Sequence, residues 1–167
     1  ITSGMSTRAT YEKGQFSIPS DTACYPAKLM HGHIENLLAE KPDAVFYPCL
    51  SYNVDEHASD NHYNCPVVAY YSELLAGNVE DLKKTKFFYP YLSVNDEKEL
   101  TRELTLYLNE TFGNIGKSEI AKAVHSGFVA YQTYIRAVHE EGERAIAYAR
   151  EKHMPIMVLA GRPYHID

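Results

Sequence analysis

Residues 18–71 read IPSDTACYPAKLMHGHIENLLAEKPDAVFYPCLSYNVDEHASDNHYNCPVVAYY and hold all three cysteines of the chain, Cys24, Cys49 and Cys65. Ser20, Asp21 and Thr22 are helix-capping residues, and Pro26 suits a first helical turn, where its missing N–H costs nothing. Met30, His33, Ile34, Leu37 and Leu38 then recur at helical spacing, and Pro42 ends the run. Gly32 within that helix costs about 1 kcal/mol relative to alanine, which points to a close backbone approach there. Ala44–Tyr47 is a short apolar run of the kind found in strands buried on both faces, closed by Pro48-Cys49. A polar connection follows from Ser51 to Asn61. Beyond it either Pro66–Tyr71 or His62–Cys65 reads as strand. The second reading is adopted, because it puts Cys65 at the carboxyl end of a strand, as Cys49 is.

Working outward, residues 1–14 read as an irregular lead-in and Gln15–Pro19 as a short extended piece. Ser72–Leu82 reads as a helix interrupted near Gly77, and Lys86–Tyr89 as a strand closed by Pro90. Asn95–Thr111 has the pattern of an amphipathic helix. Residues 118–152 form a long helix or helix pair with a stripe at Ile120, Val124, Phe128, Tyr131, Ile135 and Val138, Gly142 being the expected break. Pro155–Ala160 reads as a last strand, followed by a Gly161–His165 loop.

Strands alternating with helices predict an α/β fold with a mostly parallel sheet, whose sites form beyond the carboxyl ends of the strands. The expected organisation is one cysteine-containing α/β domain over residues 1–153. Because the chain starts at Ile1 and stops at AGRPYHID, a piece of a longer polypeptide is expected.

Composition narrows the function classes. At 167 residues the chain can bury a sizeable core, and its formal net charge of −6 offers no general attraction for nucleic acid or anionic membrane. No apolar run approaches the roughly 20 residues that span a bilayer. An odd, low cysteine count argues against a secreted disulfide framework, so a cytoplasmic location is expected.

Each cysteine falls where an element begins or ends, which favours one shared site over three unrelated core residues. Residue chemistry leaves several uses open. The thiols are small buried hydrophobes, zinc ligands together with His31, His33 or His62, or three ligands of an iron–sulfur cluster. There is no C-x-x-C, and no single cysteine has an evident base beside it in sequence, which places a redox dithiol or thiol enzyme behind these. His31 and His33 share a helix but point to different faces. Arg162 in the GRPYH loop suits a phosphate or carboxylate.

Four segments carry a family resemblance: SDTACYPAKLMHGHIENLL, FYPCLSYN, DNHYNCPVVAYYSELL and LAGRPYHID. Together, and in this order, they resemble the cysteine-containing region of 2-hydroxyglutaryl-CoA dehydratase activator-related proteins, the CoA-substrate-specific enzyme activases. A more distant similarity is to the iron–sulfur subunits of 2-hydroxyacyl-CoA dehydratases and benzoyl-CoA reductases. The resemblance implies a Rossmann- or flavodoxin-like α/β domain whose Cys24, Cys49 and Cys65 bind a [4Fe-4S] cluster for electron transfer, with Arg162 on the opposite wall. It also implies that residues 154–167 open a second, similar α/β domain, with an ATPase activator module in the same or a partner chain and a CoA-thioester enzyme as the eventual client. The alternative is a non-catalytic interaction domain with structural zinc or buried free cysteines. No glycine-rich phosphate loop is present, so ATP hydrolysis is not assigned to these residues.

Overall fold

The structure, a computed structural model, describes residues 1–57 and 60–161. The chain divides into two units, Ile1–Glu103 and Leu104–Asp167.

The first unit opens with a helix that the sequence conceals. Helix α1 (Arg8–Gly14) starts at Thr7, whose side chain accepts from the Thr10 N–H while Thr10 Oγ1 accepts from the Thr7 N–H. A 3-10 turn at Gln15–Ser17 follows, where an extended piece was expected. A seven-residue helix without an apolar stripe is not stable alone. It is held against α2 (Tyr25–Ala39) by a contact between two glycines. A Cβ on Gly32 would stand 1.7 Å from the Thr10 carbonyl oxygen, and one on Gly14 would stand 2.1 Å from the Gly32 nitrogen. The close approach expected at Gly32 is therefore present.

Four short strands follow the order β1 (Ala44–Phe46), β2 (Cys49–Tyr52), β3 (Lys86–Phe88) and β4 (Tyr91–Ser93), with α3 (Pro66–Asn78) between β2 and β3. β1 pairs with β3 and β2 with β4, both parallel. The register carries across the gap: Phe46 lies opposite Phe88 and Cys49 opposite Tyr91. The linking bonds run from the Tyr47 N–H to the Phe88 carbonyl and from the Cys49 N–H to the Pro90 carbonyl, both 2.9 Å. Phe-Tyr-Pro occurs at 46–48 and again at 88–90, so Pro48 and Pro90 fall opposite each other in that register. A proline has no N–H to donate, and the ladder is interrupted at this point. The parallel α/β architecture anticipated from the sequence is thus realised as two two-stranded ladders in line.

The core of this unit is built from Ala27 and Ile34 of α2, Val45 of β1, Tyr71 and Leu75 of α3, and Val79 and Leu82 beyond it. Cys24, Tyr47 and Phe87 pack against this cluster.

Two expectations about residues 49–71 are corrected. Cys49 opens a strand instead of closing one, and the presumed connection begins as β2. Pro66–Tyr71 and His62–Cys65 are not strands; Cys65 is the N-cap of α3 and Pro66 its first residue. The missing proline N–H that disfavours a central strand is harmless at the first helical position.

Helix α4 (Glu97–Phe112) bridges the unit boundary in sequence. In the second unit, Asn109 closes the turn that follows α4. Its Nδ2 donates to the carbonyls of Thr105 and Ile115, and its Oδ1 accepts from the Ile115 N–H at 2.8 Å. Helix α5 (Lys117–Glu151) then runs for 35 residues without a break at Gly142. The expected strand at Pro155–Ala160 has no strand pairing among the described residues, and Met157 and Val158 are 92% and 86% exposed. Apolar β-branched composition makes a strand only where a partner edge exists. No helix among the described residues is long and apolar enough to cross a membrane.

Candidate functional site

Cys24 and Cys65 are the N-caps of α2 and α3, and Cys49 is the first residue of β2. Cys65 caps α3 with extended backbone, φ −61° and ψ 155°, and its carbonyl accepts from the Ala69 N–H at 2.9 Å. Cys24 caps α2 in the same conformation, φ −64° and ψ 156°, with its carbonyl accepting from the Lys28 N–H at 3.1 Å. Neither thiol makes a cap hydrogen bond to the helix it precedes. Cys49 is fully buried at the head of β2, the strand on which α3 packs.

A turned-back segment brings Cys65 to that strand. After β2 the Asn53 N–H donates to the His62 carbonyl, and Tyr63 bridges Tyr52 in antiparallel fashion. Asn64 makes two further bonds, its N–H to the Ser51 carbonyl at 2.9 Å and its Nδ2 to the Leu50 carbonyl at 3.0 Å. Cys65 is therefore one residue away from a double attachment to the residues that follow Cys49. Asn64 is a positioning residue that sequence reasoning missed; its only signal was adjacency to Cys65.

Cys24 joins from the other side, through α2 and the core. Burial, followed by the charges of Cys24 and Tyr47, pushes the Tyr71 hydroxyl up to about 12. Burial and then Cys49 raise Tyr47 in the same way. Cys24 and Tyr47 both pack against the core cluster that contains Tyr71. On the outer side, Tyr91 donates to Glu73 of α3; that bond, burial and the nearby Glu73 and Cys49 charges push Tyr91 up to about 12. Tyrosines line the site because their rings fill apolar space while each hydroxyl keeps a polar neighbour.

Each histidine expected as a zinc partner has a hydrogen-bonding or charged neighbour at one ring nitrogen at least. His31, fully buried, bonds Ser17 through Nδ1 at 2.8 Å and Tyr71 through Nε2 at 3.0 Å. His33 bonds Ser6 through Nε2 at 2.9 Å, and its buried Nδ1 has no partner among the described residues. Burial holds both below the ordinary histidine value. His62 faces Asp55 at 3.6 Å, beside His57 at 3.2 Å. Arg162 lies outside the described residues.

All three cysteines are free thiols. Cys65 is exposed, Cys24 half-buried and Cys49 enclosed. Their donor type suits a thiophilic metal, with helix N-terminal amides near two of them to offset negative charge. Among the described residues no group of three or more His, Cys, Asp or Glu side chains is gathered closely enough to hold a metal ion. Cys65 adjoins the strand that Cys49 opens, through the Asn64 bonds, while Cys24 packs against the core cluster.

No curated protein and no solved structure matches the chain. A family model does, the CoA enzyme activase uncharacterised domain, over residues 1–167. With the whole chain matched, this protein belongs to the CoA enzyme activase domain family.

Proposed function

We propose that this domain is an electron-transfer module of a CoA enzyme activating system and that Cys24, Cys49 and Cys65 are its iron–sulfur ligands. The observation that carries this reading is the attachment of Asn64 to Leu50 and Ser51, which ties the Cys65 cap to the strand headed by Cys49. Membership of the activase family supports it. Cys24, on the matching cap of α2, is the third donor. A bound cluster would supply one-electron transfer. The chain's own residues would supply thiolates, tyrosine hydroxyls around them, and helix amides that favour a negative charge. An ATP-hydrolysing module in the same or a partner chain, and a CoA-thioester enzyme downstream, complete the proposed system.

Anaerobic reconstitution with iron and sulfide tests the proposal. The wild-type chain is expected to develop visible charge-transfer absorbance and retain both elements after desalting. The variant with Cys24→Ala, Cys49→Ala and Cys65→Ala together is expected to retain neither. Equal retention by the two proteins would rule the assignment out. A second reading, an interaction domain with free thiols or zinc, draws on the full burial of Cys49 and the absence of a gathered ligand group among the described residues. It predicts zinc or no metal at all in the same samples.

A further inference from the structure

Helix α5 carries two glycines, Gly127 and Gly142, that the contacts of this chain do not explain. Glycine in a helix interior is destabilising relative to alanine, and in α2 the backbone pressed against Gly32 accounts for it. At Gly127 and Gly142 an added Cβ would meet nothing within 4 Å, and the helix runs unbroken through both. The pattern around them is that of a helix made to pair. Starting from Phe128, the positions Tyr131, Ile135, Val138, Gly142 and Ala145 follow at alternating steps of three and four residues. This repeat of about 3.5 residues is the one that winds two helices around each other. Ile120 and Val124, the buried residues of α5, lie ahead of that seam, whereas Val138 within it is 49% exposed.

We propose that this seam is a self-association surface, occupied by α5 of a second copy running antiparallel. A two-fold axis that sets Ile135 opposite Val138 also sets Phe128 opposite Ala145 and Tyr131 opposite Gly142. Each large side chain then meets a small one. On the flanks Gly127 falls opposite the exposed Tyr148. The exposed Tyr134 falls opposite Glu141, whose carboxylate Arg144 of the same helix holds at 2.5 Å. Farther out, Lys122 faces Glu151, a pair of opposite charge. A parallel pair would stack Phe128 on Phe128 and Gly142 on Gly142, crowding one layer and leaving another empty. Both glycines are accounted for by the antiparallel register, since each receives a tyrosine of the second copy. The contact uses no cysteine and no metal, so it stands independently of the cluster assignment.

Sedimentation equilibrium of the 167-residue chain under reducing conditions tests the proposal, and the mass of two chains is expected in the micromolar range. Ile135→Glu together with Val138→Glu places unpaired charges in the central layer and should weaken association by roughly a hundred-fold or more. Gly142→Leu has better helix propensity and open space in the single chain, so it should fold at least as well as the wild type. In the antiparallel pair its side chain takes the room of Tyr131 of the second copy, and association should weaken by about ten-fold. In a parallel pair the same leucine would fill a gap, so tighter association would overturn the register. A chain that stays monomeric at its highest soluble concentration would overturn the proposal. So would a dimer left intact by the double glutamate variant with unchanged circular dichroism. If that variant unfolds, Gly142→Leu decides alone, and association equal to wild type would again overturn it.

Discussion

Cys24 and Cys65 occupy the same structural position on two helices, each an N-cap with extended backbone and a proline in the first turn that follows. A thiol is a weak acceptor and caps nothing here, although serine in either place would bond a free helix amide. Two helices in one domain forgo this stabilisation, which fits residues kept for thiol chemistry.

Cys65→Ser should therefore stabilise the protein. The exposed side chain can turn back to the second or third amide of α3, and such caps contribute about 0.5–1 kcal/mol. Urea denaturation should show a higher midpoint with an unchanged slope. A lower midpoint would mean that the thiol makes a stabilising contact of its own.

Gly32→Ala should be among the most damaging single changes in the first unit. The new Cβ would meet the Thr10 carbonyl oxygen at 1.7 Å, a backbone atom that cannot step aside without undocking α1 from α2. A loss of about 3 kcal/mol or more is expected, as for other forced overpacking. Proteolysis at residues 1–17 should rise in parallel. Wild-type resistance would show that α1 is not docked through this glycine contact.

Acid should weaken the same clasp. Burial depresses the folded-state values of His31 and His33 below 6.5, so the unfolded chain binds more protons below that pH. Stability should be full above about pH 6.5 and decline through the depressed folded values as pH falls. Urea midpoints between pH 7.5 and 5 check this, and His31→Gln should flatten the slope. Asp55, held low first by the His57 N–H, acts in a separate window, below its ordinary 3.8.

These sites also mark what could be read without coordinates. Gly32 was legible because a glycine in mid-helix is costly unless backbone approaches it, and α2, the Ala44 and Lys86 strands, α4 and α5 followed from their periodicity and flanking prolines. Pro66 misled: it reads as the exit from a strand at His62–Cys65, and only the docking of α3 on β2 makes it a helix start. Helix α1 was hidden because it has no apolar stripe, and beyond its Thr7–Thr10 cap it depends on contact with Gly32. The run at 155–160 carries strand composition but no partner among the described residues. Of the candidate site, the placement of the three cysteines at element ends was legible from the prolines beside them. The tie between Cys65 and the strand headed by Cys49 was not, since it depends on the return of the chain at Tyr63 and on the two Asn64 bonds.

The claim that three thiols make one site is tested most directly by iron and sulfide content after anaerobic reconstitution of Cys24→Ala, Cys49→Ala and Cys65→Ala, each alone. A shared cluster predicts that every single variant loses most of the iron and sulfide that the wild-type chain holds. Three single variants that each match the wild-type content would contradict it.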